Sequence, residues 1–255
     1  MKKPSNRIVL VTGGARGLGQ TIAQRLAAEG HTIILGDILY DLAKDTAAGI
    51  ASQYGIEALA LKLDVSDAAS VKETAAEIDR RFGKLDILVN NAAVLGLRDG
   101  QRVPLLDMPL ELWERTLKVN LTGTFLMCQA LIPLMQRNKW GRVINISSRS
   151  ARAKPVVQNG HYAATKSGVL ALSRAFAAEV GKDNITVNCV APSKMQTEMT
   201  ATQSADYFTS GVAETVLGRL PTPNDVASSI AFLCSDEAGA ITGTVLDINS
   251  GAYMP

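Results

Sequence analysis

Residues 8–19 of this 255-residue chain read IVLVTGGARGLG, and this stretch decides the fold. The apolar run 8–11 predicts a buried strand, and the glycine-rich turn after it leads into a helical pattern. Glycine lets the backbone turn tightly and approach a phosphate, and the helix that follows offers free N–H groups to an anion. The spacing is G-x-x-x-G-x-G, so it is the position between strand and helix that indicates a dinucleotide site. The candidate cofactor residues in this loop are Gly13, Arg16, Gly17, Leu18 and Gly19.

The alternation of strand and helix continues along the chain. The apolar runs are continuous, as buried parallel strands require, and residues 21–29, 70–82 and 112–135 show helical spacing between them. The pattern predicts an α/β fold, with residues 1–255 forming a single-domain, Rossmann-like, doubly wound parallel sheet of about seven strands and helices on both faces. The polar segment 196–219 fits no strand–helix unit and is a candidate substrate lid. The predicted strands are 8–12, 32–35, 58–63, 85–90, 142–147, 186–191 and 245–248.

Composition and charge exclude several classes of protein. The chain has 26 Lys and Arg against 24 Asp and Glu, and a net charge of +2 gives no general attraction to nucleic acid or to a membrane, so neither is expected as a partner. Three cysteines without a C-x-x-C pair argue against a disulfide framework and favour a reducing, cytoplasmic location. We find no apolar run long enough for a membrane span or a signal peptide.

Asp37 and Arg16 bear on which dinucleotide is bound. The second strand ends at Gly36-Asp37, where an acidic residue accepts hydrogen bonds from the adenosine ribose. A carboxylate there would also repel a 2′-phosphate and favours NAD, whereas Arg16 could pair with that phosphate. Because repulsion at hydrogen-bonding distance is hard to offset, we expect NAD, with NADP as the less favoured cofactor.

Further candidate cofactor residues follow the third and fourth strands. Asp64 and Val65 close the third strand, where an adenine would lie, although Asp64 could instead cap a helix at Ser66. Asn91 and Ala92 close the fourth strand, where small side chains admit a ligand. Carboxyl ends of parallel strands meet at one sheet edge, so these residues should line one crevice.

Tyr162 and Lys166 lie four residues apart on the predicted helix Gly160–Val180 and share one face. A free tyrosine, with a pKa of about 10, is a weak acid–base group at neutral pH. We expect the Lys166 ammonium to lower the pKa of Tyr162 and make it the general acid/base for a carbonyl or alcohol oxygen. Ser148 ends the preceding strand at the same edge and can hydrogen-bond the reacting oxygen, with Ser147 as the alternative.

Other chemistries lack their motifs. Ser148 is not in the G-x-S-x-G elbow of esterases, and the glycine loop is not followed by the Lys-Ser/Thr of a P-loop. The two histidines, His31 and His161, show no metal-ligand spacing, so no metal is expected.

These motifs together resemble the short-chain dehydrogenase/reductase family over residues 7–251. The resemblance implies that Asn120 joins Ser148, Tyr162 and Lys166 in the catalytic set and holds a water in a proton relay. It also implies that Lys166 bonds the nicotinamide ribose, which places it and Tyr162 in the cofactor set. The motifs that carry it are Thr12-Gly13, Gly17-Leu18-Gly19, Asn90-Asn91-Ala92, Asn120, Ser148, Tyr162-x-x-x-Lys166 and Pro192…Thr197, and it adds Pro192, Met195 and Thr197 to the cofactor residues.

The chain departs from the family pattern near the nicotinamide. Ala93 stands where the family usually has glycine, and Ser193 replaces the glycine that usually follows Pro192. These changes add bulk near the cofactor but remove no reacting group.

The resemblance implies reversible hydride transfer between a nicotinamide cofactor and a carbonyl or secondary alcohol. Three functions remain open. An NAD-dependent alcohol or sugar dehydrogenase is favoured by Asp37, and an NADPH-dependent 3-oxoacyl thioester reductase is kept open by Arg16. A dinucleotide-binding protein without turnover is disfavoured because Ser148, Tyr162 and Lys166 are all present.

Residues 94–109, 149–160 and 196–219 should build the pocket for a small carbonyl or alcohol substrate. Basic side chains in the first two segments are favoured as a solvated loop surface, and recognition of a substrate carboxylate or phosphate is the alternative hypothesis. The family also implies a homotetramer or homodimer formed through two long helices. Ala171, Ala175 and Ala178 would allow close packing there, unless this face packs on its own sheet. The basic residues are Arg98, Arg102, Arg149, Arg152 and Lys154.

Overall fold

A parallel sheet of seven strands forms the centre of the protein. The structure is a computed structural model that describes residues 6–153, 160–201 and 204–255. Its strands are β1 (Ile8–Thr12), β2 (Thr32–Asp37), β3 (Ala58–Lys62), β4 (Ile87–Asn90), β5 (Gly141–Ile146), β6 (Ile185–Pro192) and β7 (Val245–Ile248). They lie in the order β3-β2-β1-β4-β5-β6-β7, and every neighbouring pair is parallel. The order reverses between β1 and β4, which opens a crevice at the carboxyl ends of the strands.

Helices cover both faces of the sheet. They are α1 (Gly17–Ala27), α2 (Tyr40–Tyr54), α3 (Ala68–Phe82), α4 (Leu110–Leu117), α5 (Gly123–Gln136), α6 (Gly160–Val180), α7 (Ala205–Ala213) and α8 (Pro223–Cys234). Short 3-10 turns occupy Leu105–Asp107, Arg149–Ala151, Gly181–Asp183, Glu198–Thr200 and Asp236–Ala238.

The buried core is divided by the sheet into two layers. Val9 and Val11 of β1 pack with α1, α2 and α8, whereas Ile8 and Leu10 pack with α3 and α5 on the other face. Successive side chains of a strand point to opposite faces, so a strand buried on both sides needs a continuous apolar run. The predicted single-domain, doubly wound α/β fold is confirmed.

The long helix predicted at 112–135 is interrupted. The chain forms α4, then the π-helical segment Lys118–Thr122, then α5. Asn120 lies in the π-helical segment and is fully buried. In a π-helical segment each backbone hydrogen bond spans one residue more than in an α-helix, and such segments are frequent at functional sites. Here the change in winding fixes the direction in which Asn120 points.

The start of α3 differs from the expectation for Asp64. The helix begins at Ala68 and is capped by Asp67, whose side chain accepts a hydrogen bond from Ala69 N at 3.1 Å. Asp64 therefore does not cap this helix, and its carboxylate lies in the turn before it.

Among the described residues, one helical run is long and apolar enough to cross a membrane by length and composition, although the sequence analysis found no such run. It covers Leu110–Gln136. Met127 and Leu131 in this run are completely buried in the core layer shared with α3. Length and composition do not separate a core helix of this kind from a membrane span, and in this fold part of the run is buried against α3.

Candidate active site

The ends of β1 and β4 are tied together by side-chain hydrogen bonds. Thr12 Oγ1 accepts from both Asn91 N and Ala92 N at 3.0 Å. The Asn91 amide in turn donates to Thr12 O and Gly13 O, each at 3.0 Å. This junction fixes the glycine loop at the switch point of the sheet, where open α/β sheets bind ligands.

Two glycines of the loop are required by its geometry. Gly13 has a φ of +63°, and a Cβ placed on it would lie 3.0 Å from Ala92 Cα. A Cβ on Gly19 would lie 2.1 Å from Gly13 O. Helix α1 and the loop are therefore too close together for any residue other than glycine at position 19. Helix α1 then begins at Gly17 without a side-chain cap, which leaves its first N–H groups available to an anion.

Asp37 closes β2 and is engaged with the backbone of two loops. One carboxylate oxygen accepts from Ala15 N at 3.0 Å, and the other accepts from Leu39 N at 2.9 Å. The side chain is nearly inaccessible to solvent. Asp37 therefore holds the glycine loop against the turn after β2.

Asp64 also organises a turn. Its Oδ1 accepts from Ser66 N at 2.9 Å and from the Ser66 hydroxyl at 2.7 Å. The turn places Val65 beside the crevice, and a Cβ on Gly123 of α5 would touch Val65 Cγ2 at 2.9 Å.

The two serines after β5 have different surroundings. Ser147 is buried, and its hydroxyl donates to the carbonyl of Lys166 at 2.9 Å. Ser148 lines the crevice, and its hydroxyl accepts from Ser150 N at 3.1 Å. The Ser148 oxygen keeps a hydrogen that it can donate to a ligand, whereas Ser147 is already used in packing α6.

Tyr162 and Lys166 face the crevice from α6. The Lys166 Nζ lies 5.7 Å from the centre of the Tyr162 ring and donates to Ile146 O at 2.7 Å. Removal from water raises the pKa of Tyr162 to about 12, and hydrogen bonding to Ser148 lowers it only in part. Burial lowers the pKa of Lys166 to about 8. The expectation that Lys166 lowers the pKa of Tyr162 is wrong for this structure, because desolvation of the phenol is the largest cause of the shift and the lowering contribution comes from Ser148.

Asn120 clamps the loop that follows β4. Its Oδ1 accepts from Val94 N at 2.8 Å, and its Nδ2 donates to Val94 O at 2.9 Å and to Thr165 Oγ1 at 3.2 Å. Both amide hydrogens are used, which leaves one lone pair of Oδ1 for a water. The structure places Asn120 behind the crevice wall, and the proton-relay role implied by the family stays a prediction.

One cavity of about 760 Å³ unites the predicted residues. Its volume is in the range of small-molecule and cofactor sites. Ser148 lines it, and so does each predicted cofactor residue, namely Gly13, Arg16, Gly17, Leu18, Gly19, Asp37, Asp64, Val65, Asn91, Ala92, Tyr162, Lys166, Pro192, Met195 and Thr197.

The basic residues proposed for an anionic substrate divide into two groups. Arg149 pairs with Glu214, and Arg152 pairs with Asp247 at 3.0 Å, so both charges are neutralised within the protein. Arg102 lines the cavity with its guanidinium 5.4 Å from the centre of the Tyr207 ring. Arg98 lies in a small bridge with Gln101 and does not line the cavity. Lys154 lies outside the described residues.

Several cavity residues were missed by the sequence analysis. Ile38 directly follows the carboxyl end of β2, so its position could have identified it. Lys194 follows β6 within the motif that ends at Thr197, and Glu198 is the residue directly after that motif. Tyr207 of α7 lies within the segment 196–219 that was predicted to build the pocket, but no motif singled out this residue. Within residues 6–153, 160–201 and 204–255, no three His, Cys, Asp or Glu side chains gather as a metal site would require.

Comparison with known proteins places these features in a family. Residues 13–253 match the sequence profile of a family described as enoyl-(acyl carrier protein) reductase. The chain is 38% identical over 251 residues to the 3-oxoacyl-[acyl-carrier-protein] reductase FabG of Aquifex aeolicus, covering 98% of this chain and 99% of the relative. It is also 38% identical to the FabG of Escherichia coli, covering 97% and 98% of the two chains. The crystal structure of gox2181 superposes with a TM-score of 0.91 at 30% identity, covering 97% of this chain and 95% of that one.

These relatives correct the cofactor expectation. They are 3-oxoacyl-[acyl-carrier-protein] reductases, the activity for which the sequence analysis expects NADPH, and the prediction that NAD is favoured is therefore wrong. The physical reason lies at Asp37, whose two oxygens are bonded to Ala15 N and Leu39 N. These bonds hold the carboxylate against the glycine loop and the turn after β2, and Arg16 on the same cavity supplies a positive charge that can pair with a 2′-phosphate.

Proposed function

The chain belongs to the short-chain dehydrogenase/reductase family, and we propose that it is an NADPH-dependent reductase of 3-oxoacyl thioesters. Membership makes it an NAD(P)-dependent oxidoreductase that acts between a carbonyl group and a secondary alcohol. The observation that carries the proposal is the position of Ser148, Tyr162 and Lys166 on one cavity, in a chain similar over its length to 3-oxoacyl reductases. A dinucleotide-binding protein without turnover would not need this set.

Ser148, Tyr162 and Lys166 have different roles in the reduction of the substrate carbonyl. The bound nicotinamide supplies the hydride. The Tyr162 hydroxyl gives its proton to the carbonyl oxygen, and the Ser148 hydroxyl hydrogen-bonds the same oxygen. Because desolvation raises the pKa of Tyr162 to about 12, the tyrosine stays protonated at neutral pH, which is the form that reduction of a ketone requires. The Lys166 ammonium then stabilises the charge that develops on the phenol oxygen.

The cavity fits a dinucleotide in its shape and in its hydrogen-bond donors. The uncapped start of α1 offers N–H groups to the phosphates, and Gly17 has no side chain to obstruct them. In this proposal Asp64 and Val65 face the adenine, and Asn91 and Ala92 lie beside the nicotinamide ribose. Lys166 would bond the same ribose, with Pro192, Met195 and Thr197 around the nicotinamide ring.

Arg16 would recognise the 2′-phosphate of NADPH. It is the residue immediately before α1, and it lines the cavity at the end where Asp37 and Ile38 also lie. A guanidinium suits a phosphate because it can donate two parallel hydrogen bonds.

The substrate would carry an anionic group that Arg102 recognises. Among the described residues no carboxylate lies within 4 Å of Arg102, whereas Arg149 and Lys194 both pair with Glu214. In the described parts of the substrate loops, Arg102 is therefore the cation on the cavity wall that no other side chain neutralises. A phosphate on the carrier arm of a thioester would match it.

The assembly, the lid and the location complete the proposal. The faces of α5 and α6 would form an oligomer interface, since Phe125 of α5 and Ala171, Ala175 and Ala178 of α6 are exposed in the single chain. Residues 196–219 would act as the substrate lid, since α7 carries Tyr207 over the cavity. A cytoplasmic location agrees with three buried, free cysteines.

The proposed function is tested by following NADPH oxidation at 340 nm with a 3-oxoacyl thioester, in wild type, Tyr162→Phe and Tyr54→Phe. Tyr54 lies at the end of α2, and its variant serves as the matched control. We expect turnover in wild type and the control, and a loss of about 10²- to 10⁴-fold in Tyr162→Phe. No turnover with NADPH, or equal turnover in all three proteins, would refute the proposal. Tighter binding of NADH than of NADPH would refute the cofactor assignment.

A further inference from the structure

Glu198 places a negative charge at the start of α1. It follows β6 as the first residue of the 3-10 turn Glu198–Thr200. Its Oε2 lies 2.7 Å from the point where a Cβ on Gly17 would stand. The turn is closed by Thr200, whose hydroxyl donates to Met195 O at 2.7 Å, so the backbone holds Glu198 at this position.

The start of α1 has a positive potential that nothing on its own helix offsets. Arg16 precedes the helix, no side chain caps it, and its first turn contains no acidic residue. Free N–H groups and the helix dipole attract an anion to such an end. In the described part of the chain, the Glu198 carboxylate makes no ion pair with a lysine, arginine or histidine. The Glu198 carboxylate therefore occupies the region next to the start of α1 in which the phosphates of a bound dinucleotide would lie.

Glu198 also lies between two cavities. Gly17, Thr197 and Glu198 line both the main cavity and a second one of about 550 Å³. The second cavity is bounded on the far side by Gln20 and Thr21 of α1 and by Phe208 of α7. The carboxylate therefore has space to move away from Gly17 without unfolding the turn that carries it.

We propose that Glu198 competes with the cofactor phosphates for the start of α1, so that binding of the dinucleotide displaces it toward the second cavity. This inference rests on the proposed function, because it takes the dinucleotide to bind at the glycine loop. The carboxylate weakens cofactor binding by repulsion and speeds release of the oxidised cofactor. Because Glu198 and Phe208 both bound the second cavity, its displacement also links cofactor binding to the position of α7.

The test is calorimetric titration with NADPH of wild type, Glu198→Gln and Asp206→Asn. Asp206 is exposed in the first turn of α7 and lines neither cavity, so its variant removes a negative charge from the same region without changing the start of α1. We expect Glu198→Gln to bind NADPH about three- to tenfold more tightly than wild type at low salt, and Asp206→Asn to bind it like wild type. The difference should shrink in about 0.5 M salt, because the repulsion is screened.

Inorganic pyrophosphate separates the inference from the proposed function. We expect it to raise the melting temperature of Glu198→Gln more than that of wild type, with Glu198→Ala as a second variant if the first folds poorly. Folded Glu198 variants that bind NADPH and pyrophosphate no more tightly than wild type would overturn the inference and leave the proposed function intact. Absence of NADPH binding in all proteins would overturn the proposed function, and the pyrophosphate comparison would still decide the role of Glu198.

Discussion

Burial moves the pKa values of Tyr162 and Lys166 in opposite directions, because it disfavours the charged form of each. The pKa of Tyr162 rises to about 12, and that of Lys166 falls to about 8. At neutral pH the phenol is therefore neutral and the amine is mostly charged. This is the pair of states in which the tyrosine can give up a proton and the lysine can stabilise the phenolate that remains.

The pH dependence of carbonyl reduction should therefore follow the titration of Lys166 rather than that of Tyr162. Tyr162 keeps its proton below about pH 12, and Lys166 loses its charge above about pH 8. We expect kcat for reduction to stay level between about pH 6 and about pH 7 and to fall as the pH passes about 8. Stopped-flow measurement across this range checks the prediction, and a rate that rises steadily up to pH 9 would contradict it.

Replacing Arg102 should change the KM for charged substrates alone. A 3-oxoacyl thioester of coenzyme A carries phosphates, whereas the corresponding thioester of N-acetylcysteamine is uncharged. We expect Arg102→Gln to raise the KM for the first about tenfold or more, the size of one charged hydrogen bond, and to leave the KM for the second unchanged. Arg98→Gln is the matched control, because Arg98 belongs to the same loop but does not line the cavity. An equal rise for both substrates would mean that Arg102 shapes the pocket instead of binding an anion.

At the residue scale, the sequence predicted where the functional residues lie better than it predicted their hydrogen bonds and pKa values. Motif spacing was sufficient to predict that Ser148, Tyr162 and Lys166 line one cavity, because each lies directly after a strand or on one face of a helix. It could not show that Asp37 is bonded by Ala15 N and Leu39 N, since those bonds depend on how two loops fold against each other. The same limit explains the wrong direction for the pKa of Tyr162, because desolvation depends on the whole surroundings of the phenol.

Two glycines in helices should respond in opposite ways to substitution by alanine. Gly19 in α1 has no room for a Cβ, which would stand 2.1 Å from Gly13 O. Gly49 in α2 has no atom within 4 Å of that point. We expect Gly19→Ala to lower the free energy of unfolding by at least about 2 kcal/mol and to abolish NADPH binding. Gly49→Ala should raise the free energy of unfolding by about 0.5–1 kcal/mol, because alanine favours the helix.

Urea unfolding of both variants, followed by circular dichroism, checks this pair. A Gly19→Ala protein as stable as wild type would show that α1 and the glycine loop are farther apart than described.

At the element scale, strands were easier to predict than helix boundaries. The strands β1 and β7 have the predicted bounds, since a buried parallel strand is a short apolar run between polar residues. The break between α4 and α5 was not predicted, because residues 118–122 keep an apolar spacing that suits a helix. Asn120 in this segment bonds Val94 and Thr165, which are distant in sequence, so the local pattern could not indicate the break.

The outer face of α6 should determine the oligomeric state. Ala171, Ala175 and Ala178 are exposed in the single chain, so this face does not pack on its own sheet. We expect Ala175→Arg to shift the protein to a smaller species in size-exclusion chromatography with light scattering, because a buried unpaired charge is costly. Ala48→Arg, on the exposed face of α2, is the matched control and should leave the mass unchanged. A wild-type protein that runs as a monomer would exclude the proposed interface.

The cavity is assembled from pieces that are far apart along the chain. Gly13 follows β1, Ser148 follows β5, and Met195 follows β6, so no fragment lacking one of these strands contains a complete site. Ligand affinity and global folding are thus linked by mass action: NADPH at about 100 times its Kd should stabilise the native state by about 2.7 kcal/mol. A melting temperature that rises with the logarithm of NADPH concentration would report this link, and a cell with a full cofactor pool would then protect the enzyme from proteolysis better than one whose pool is depleted.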